Sequence, residues 1–355
     1  MEVLRTTLTH SHHTKCKDQS KYSAGDRYRI TRHSRKTQER LIKTLSCVGY
    51  PAHIAPHSET DLVILGYITK DQAHWTRSTT ILDAWGSNLT NIIGTDRSLL
   101  VGLDGDLFVN AAEIMRWEGG WVEAGAKWQG GSGFSIQLYW LFARQSIVIG
   151  QANYGLASIK ALLSFAVYLD DVALYNYAIN AYKYDLCAGI EANLDPATGQ
   201  SAEAGRDQAH VLDGLGWLAL ASRVAGSQGY DLFAYSHNLL IRGAEYAAKF
   251  NLNETVPYNK NFYRCEAVLV NGPWANISSQ SRGVQTKPVW DILHYGAASH
   301  HVNAPWTAKA KAAVDASGGE GPTTNNDMPS WGDLLWSVSL NGPSMGNSNG
   351  NRTGH

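Results

Sequence analysis

The chain has 355 residues, 44% of them hydrophobic and only 17% charged, with a net charge of −1. That length supports one large core or two modest ones, and the even charge gives nucleic acid no electrostatic footprint. No apolar run reaches the roughly 20 residues of a membrane span, so neither nucleic acid nor a membrane is expected as partner.

Residues 1–45 carry eleven Lys/Arg against four Asp/Glu, a net of +7, and the remaining 310 carry 19 against 27, a net of −8. This basic stretch shows little apolar periodicity, so residues 1–60 are expected to be a disordered or non-native leader. A basic targeting arm is the other reading. The first residues contain no apolar core of a signal peptide. From about Thr79 the texture changes: Ile81, Leu82, Trp85, Leu89 and Ile92 follow helical spacing. Further helices are expected over Leu107–Trp117, Phe134–Ile149, Ala152–Leu169, Val172–Ile190, Arg206–Val224 and Tyr230–Phe250. Asp170-Asp171 and Asp195-Pro-Ala-Thr-Gly199 break them. No alternating strand stands out before residue 250. Residues 251–310 read as irregular loops with a short helix near Trp290–Tyr295. Residues 318–355 read as a flexible Gly/Ser/Asn-rich tail, in which Trp331–Val338 can dock as a last apolar element.

Six or more helices joined as antiparallel hairpins predict an all-α fold, either a bundle or an (α/α)n toroid in the form of an incomplete barrel. The toroid domain is expected over residues 75–310, with irregular loops toward its C-terminal part.

Four cysteines, Cys16, Cys47, Cys187 and Cys265, lack the CxxC spacing of a structural zinc site. Cys187 and Cys265 can pair, but nothing in the sequence decides it. Four N-x-S/T sequons, at Asn88, Asn253, Asn276 and Asn351, lean toward a secreted glycoprotein. Twelve Trp and seventeen Tyr fill a core in the plainest reading; flat rings also stack on the C–H faces of sugars in a carbohydrate groove.

Three segments gather polar chemistry. The first is Glu203-Ala-Gly-Arg-Asp-Gln-Ala-His210, which runs straight into the apolar face Val211, Leu212, Leu215, Leu218 and Ala219. Asp207 or Glu203 can cap the helix, but capping alone does not need Arg206, Gln208 and His210. Arg206 and His210 stand one turn apart, a cation beside an imidazole, which suits an anionic substrate. The second segment is Gln151-Ala-Asn153-Tyr154-Gly155, where Asn153 is either a plain cap or a site residue. The third, Thr255–Cys265, places Tyr258, Lys260, Tyr263 and Arg264 close together. A tyrosine near cations can act as a base, or it can simply pack on the helices.

Read together, QANYG, TGQSAEAGRDQAH, QGYDLF, NLLIRGAEYAAKFNLNETVPY, RGVQTKPVWDILHY and NAAEIMRW resemble the alginate lyase-like polysaccharide lyases with an α/α-toroid fold. The resemblance spans roughly residues 80–300 and rests on several uncommon strings in the right order. It implies β-elimination on a uronic-acid polymer such as alginate or glucuronan, without metal or cofactor, by a secreted monomer. A neutraliser for the carboxylate, a base for the C5 proton and an acid for the leaving oxygen are then required.

Carried over by residue, the resemblance implies Asn153 as neutraliser and His210 as neutraliser or base. It also implies Tyr263 as the catalytic tyrosine, with Tyr258 as runner-up, and Arg264 and Arg206 as carboxylate partners. Gln208 and Glu203 are expected as positioners of these groups, Gln208 and Tyr154 also as substrate contacts, and Lys260, Tyr295 and His294 at the rim. Tyr154 stands where the family has Trp. Lys287-Pro288 replaces Arg-Pro, which would alter recognition of substrate charge. The tail after His301 leaves the family pattern. Two alternatives remain open: a carbohydrate-binding toroid that has lost its chemistry, and a hydrolase on a similar toroid. The hydrolase needs two carboxylates about 5–10 Å apart, drawn from Glu113, Glu203 and Asp207.

Overall fold

The computed structural model describes residues 28–30, 55–123, 133–320, 328–329 and 332–337. Strand β1 (Tyr28–Ile30) is followed by helices α1 (Ala55–Thr69) and α2 (Gln72–Asn88), strand β2 (Leu89–Ile92) and helix α3 (Arg97–Trp117). Next come α4 (Phe134–Gln137), which runs on as a π-helix over Leu138–Ser146, then α5 (Ala152–Tyr168), α6 (Val172–Tyr184) and the short α7 (Ile190–Asn193). The chain continues through α8 (Gln208–Ser227), α9 (Tyr235–Asn251), a 3₁₀ turn at Ala267–Val270, α10 (Trp290–Ser299), α11 (Pro305–Asp315) and α12 (Gly332–Trp336). The fold is therefore mostly helical. Its one sheet among the described residues is the parallel pair β1–β2.

Local chemistry sets several helix starts. Asp71, Asp171 and Asp207 each cap a helix by accepting from a main-chain N–H of the first turn, those of Ala73, Leu174 and His210. Helix α5 is apolar on nearly every side, which places it in the middle of the assembly. It packs against α3, α6 and α8. Gly102 of α3 allows a close approach, because a Cβ there would lie 2.9 Å from the Ala157 main chain. The one ammonium on α5, Lys160, is buried and meets the equally buried Asp106 of α3 at 2.7 Å. Helices α8 and α10 pack side by side, as do α9 and α11. The hydrophobic cluster runs from Val63 on α1 through Val314 on α11 to Met328.

Several expected boundaries move. Helix α3 begins at Arg97, ten residues before the expected Leu107. Helix α6 ends at Tyr184, short of the expected Ile190, because Asp185 turns extended and accepts from the main-chain N–H groups of Cys187 and Ala188. Helix α9 begins at Tyr235, later than the expected Tyr230, and its first turn holds Ser236, His237 and Asn238 in left-handed geometry. Helix α1 starts inside the expected leader and runs beyond it to Thr69, α11 starts inside the stretch expected to be irregular, and strand β2 takes Leu89–Ile92, whose spacing predicts helix. The remainder of the expected leader, and of the tail beyond residue 337, lies outside the described residues.

Candidate functional site

The segment 200–207 is an irregular stretch held on both sides by loops. It leaves a turn at Asp195–Gly199, where Gly199 has φ +80° and packs on the Arg242 carbonyl with no room for a Cβ. Gln200, wholly buried, donates its amide to the carbonyls of Asn259 and Phe262 and accepts from the Asn259 N–H. The Arg264 N–H then donates to the Ala202 carbonyl at 3.1 Å, and the Ser278 N–H to the Ala204 carbonyl at 2.9 Å. The 255–265 loop is thereby fixed along this segment, with Tyr263 between two anchored neighbours and 44% exposed.

A disulfide joins Cys187 to Cys265, 78 positions apart in sequence. The Cys187 carbonyl accepts from the Ala152 N–H at 2.8 Å, at the start of α5. Asn153 follows, buried, and donates its amide to the His210 carbonyl at 3.0 Å. Its carbonyl oxygen faces Gly214, where a Cβ would approach to 3.0 Å. The structure thus brings together Asn153, the 203–210 segment and the 263–265 loop, the three segments singled out by sequence.

At the centre, Asp207 caps α8 and also meets the His210 ring. Its Oδ1 accepts the His210 main-chain N–H at 2.8 Å, and its Oδ2 lies 2.7 Å from Nδ1. A carboxylate on Nδ1 fixes the tautomer that carries hydrogen there and leaves Nε2 as the basic nitrogen. The His210 side chain is 34% exposed. Burial opposes ionisation of Asp207, but the His210 ring and main-chain N–H outweigh it, so its carboxyl is held below its ordinary range.

Around this pair lies a chain of charges. Arg206, 25% exposed, sits 3.8 Å from Asp207 Oδ2 and 3.7 Å from Glu203 Oε2. Glu203 is buried and takes Arg264 Nη1 on Oε1 at 2.9 Å. Burial pushes the Glu203 carboxyl up, opposed by Arg264 and Arg206.

Some expected roles do not match these placements. Arg264 is buried on Glu203, so its guanidinium supports the segment and does not face a substrate. Gln208 is also buried, with its amide spent on the Ser278 carbonyl and the Asn251 side chain. The Asn153 amide serves the His210 turn. Tyr258 donates its hydroxyl to the Trp274 carbonyl over Gly205, and burial raises its phenol. Tyr154 reaches Asp96 at 3.1 Å, and Lys260 is exposed on its loop. Lys287 is buried against Asp213 at 2.8 Å, which removes it from substrate recognition.

Tyr295 belongs to a second cluster, where its hydroxyl donates to Asp333 at 2.7 Å and His294 packs beside it. Asp291, Asp315 and Asp333 offer carboxylate oxygens within 4.8 Å of one another, a spacing a metal ion could use. The Lys311 ammonium already stands there, 2.8–3.0 Å from each. Asp207 and Gln200 carry more of the site than the sequence suggested. The available signal for Asp207 was the Asp-x-x-His spacing at a helix start.

No protein-family model, no curated protein and no solved structure matches this chain.

Proposed function

We propose that the chain is a polysaccharide lyase that cleaves a polyuronate such as alginate or glucuronan by β-elimination, on an arc of an α/α toroid. The observation that carries this reading is the Asp207–His210 pair, an imidazole of fixed tautomer, about one-third exposed, with cationic Arg206 beside it. His210 Nε2 takes the C5 proton of a uronate while Arg206 binds its carboxylate and favours the enolate-like charge. The electron pair forms the C4–C5 double bond, the C4–oxygen bond breaks, and the Tyr263 hydroxyl gives its proton to the departing oxygen. Asn153, Glu203, Gln208 and Arg264 position these groups.

The alternation of packing supports the toroid. Helices α3, α5, α8 and α10 succeed one another as neighbours, while α6 packs against α5, α9 against α8 and α11 against α10. The Cys187–Cys265 disulfide and three exposed sequon asparagines, Asn88, Asn253 and Asn276, support a secreted protein. The hydrolase alternative is weaker, because Glu203 is committed to Arg264, Asp207 to His210 and Glu113 to Arg116 at 2.7 Å. The test is incubation with polymannuronate, polyguluronate and glucuronan in chelator, followed by ultraviolet absorbance of unsaturated ends. Absorbance from at least one polymer is expected. A folded protein that yields none from any of the three contradicts the proposal.

A further inference from the structure

The outward face of α6 carries a pattern the proposed site does not use. Ala173, Asn176, Tyr177, Asn180 and Tyr184 are exposed at helical spacing, and the two tyrosines are among the most exposed aromatic residues, at 55% and 61%. Seven residues apart, they stand on one side of the helix and about 10.5 Å apart along its axis. That spacing is close to the two-residue repeat of an extended 1,4-linked pyranose chain, in which every second ring presents the same face.

At the C-terminal end of this face, Lys183 lies 4.8, 5.7 and 5.1 Å from the rings of Tyr184, Tyr230 and Tyr235 and donates to the Tyr230 hydroxyl at 3.1 Å. Glu191 and Asp231 are nearby, occupied with Ser236 and His300 respectively. Isolated exposed aromatics need no explanation. Two at a sugar-chain repeat, with an asparagine between them and an ammonium in a tyrosine cage at one end, form a ledge for a charged sugar chain.

We infer that this ledge of Tyr177, Asn180, Lys183 and Tyr184 is a second binding surface for extended 1,4-linked polyuronate, continuous with the candidate site. The identity of the polymer rests on the proposed lyase function. The two are close along the covalent chain: Tyr184 is three residues from Cys187, at most about 11 Å of chain. Cys187 is bonded to Cys265, which is two residues from Tyr263. A polymer held on the ledge is thereby presented to the site, whereas a short oligomer would not reach both.

The test uses Tyr177→Ala/Tyr184→Ala, with Tyr177→Phe/Tyr184→Phe as control, each in a His210→Ala background for titration with long polymannuronate. The alanine pair is expected to weaken binding about tenfold, two stacking contacts' worth, and the phenylalanine pair to bind as the parent does. With His210 intact, the alanine pair should turn over a short oligouronate normally. Unchanged polymer binding by the alanine pair overturns the ledge, as does an equal loss on short oligomers. Tyrosine-dependent binding by a wild-type chain that forms no unsaturated product keeps the ledge and overturns the lyase. Absence of any polymannuronate binding by the His210→Ala parent overturns the ledge, while lyase activity is read separately in the wild type.

Discussion

Asp207 holds His210 twice, by its main-chain N–H at 2.8 Å and by its ring Nδ1 at 2.7 Å. One carboxylate thus caps helix α8 and sets the tautomer of the imidazole that the helix presents. The two functions are separable, because an asparagine can still cap but no longer favours hydrogen on Nδ1 or an imidazolium.

Asp207→Asn is therefore expected to lower kcat by about a hundredfold or more while far-ultraviolet circular dichroism stays unchanged. The same residue shapes acid stability. Its folded carboxyl is held low, so its contribution is full above the unfolded value near 4 and is lost as pH falls below it. Urea midpoints between pH 5 and pH 2 should fall less steeply in Asp207→Asn than in the wild type.

The buried pair Glu203–Arg264 predicts a different effect. Arg264→Met removes the partner of a carboxylate whose other close cation among the described residues is Arg206 at 3.7 Å. The expected loss is about 3–5 kcal/mol in urea unfolding. Glu203→Gln in the same chain should recover part of it, since no buried charge is then left unpaired.

Reduction of Cys187–Cys265 removes a covalent link between residues 78 positions apart and frees the chain at Cys265, two residues beyond Tyr263. Cys187→Ser/Cys265→Ser is expected to lose up to about 4 kcal/mol. Turnover should fall further than the folded fraction does, because the loop that carries Tyr263 keeps its hydrogen bonds to Gln200 and Ala202 but loses its covalent tie to Cys187. Unfolding curves and activity measured on the same samples separate the two effects.

Glu320 gives the opposite pH dependence. Burial, with Asp291 beside it, pushes its carboxyl from 4.5 up to about 8, although it accepts from the main-chain N–H groups of Trp290 and Asp291. A raised folded value stabilises fully below 4.5 and is lost as pH rises toward 8. Glu320→Gln keeps the acceptor oxygen without the charge. Its unfolding midpoint should exceed that of the wild type at pH 8, with the gap closing toward pH 5.

The all-helical class was legible because α5, α6, α8 and α9 carry long apolar periodicities with clear breaks. Helix α11 escaped because Pro305–Asp315 is an Ala/Lys-rich helix with few large apolar residues. The three polar segments stood out by composition, but their roles did not. Arg264, Gln208 and Lys287 look alike in sequence whether they face a groove or a buried carboxylate or carbonyl. Only burial separates these cases, and burial depends on loops 255–265 and 274–280 folding back over residues 200–208. The α6 ledge was hidden for the opposite reason, since exposed tyrosines at seven-residue spacing read like any helical stripe.

Elimination at His210 is tested by the mass of the products that wild type and His210→Ala release from polymannuronate or glucuronan. Wild-type fragments lighter by one water than hydrolysis products are expected, and none from a folded His210→Ala. Fragments of full hydrolytic mass from the wild type, or unsaturated fragments made at an undiminished rate by His210→Ala, would contradict it.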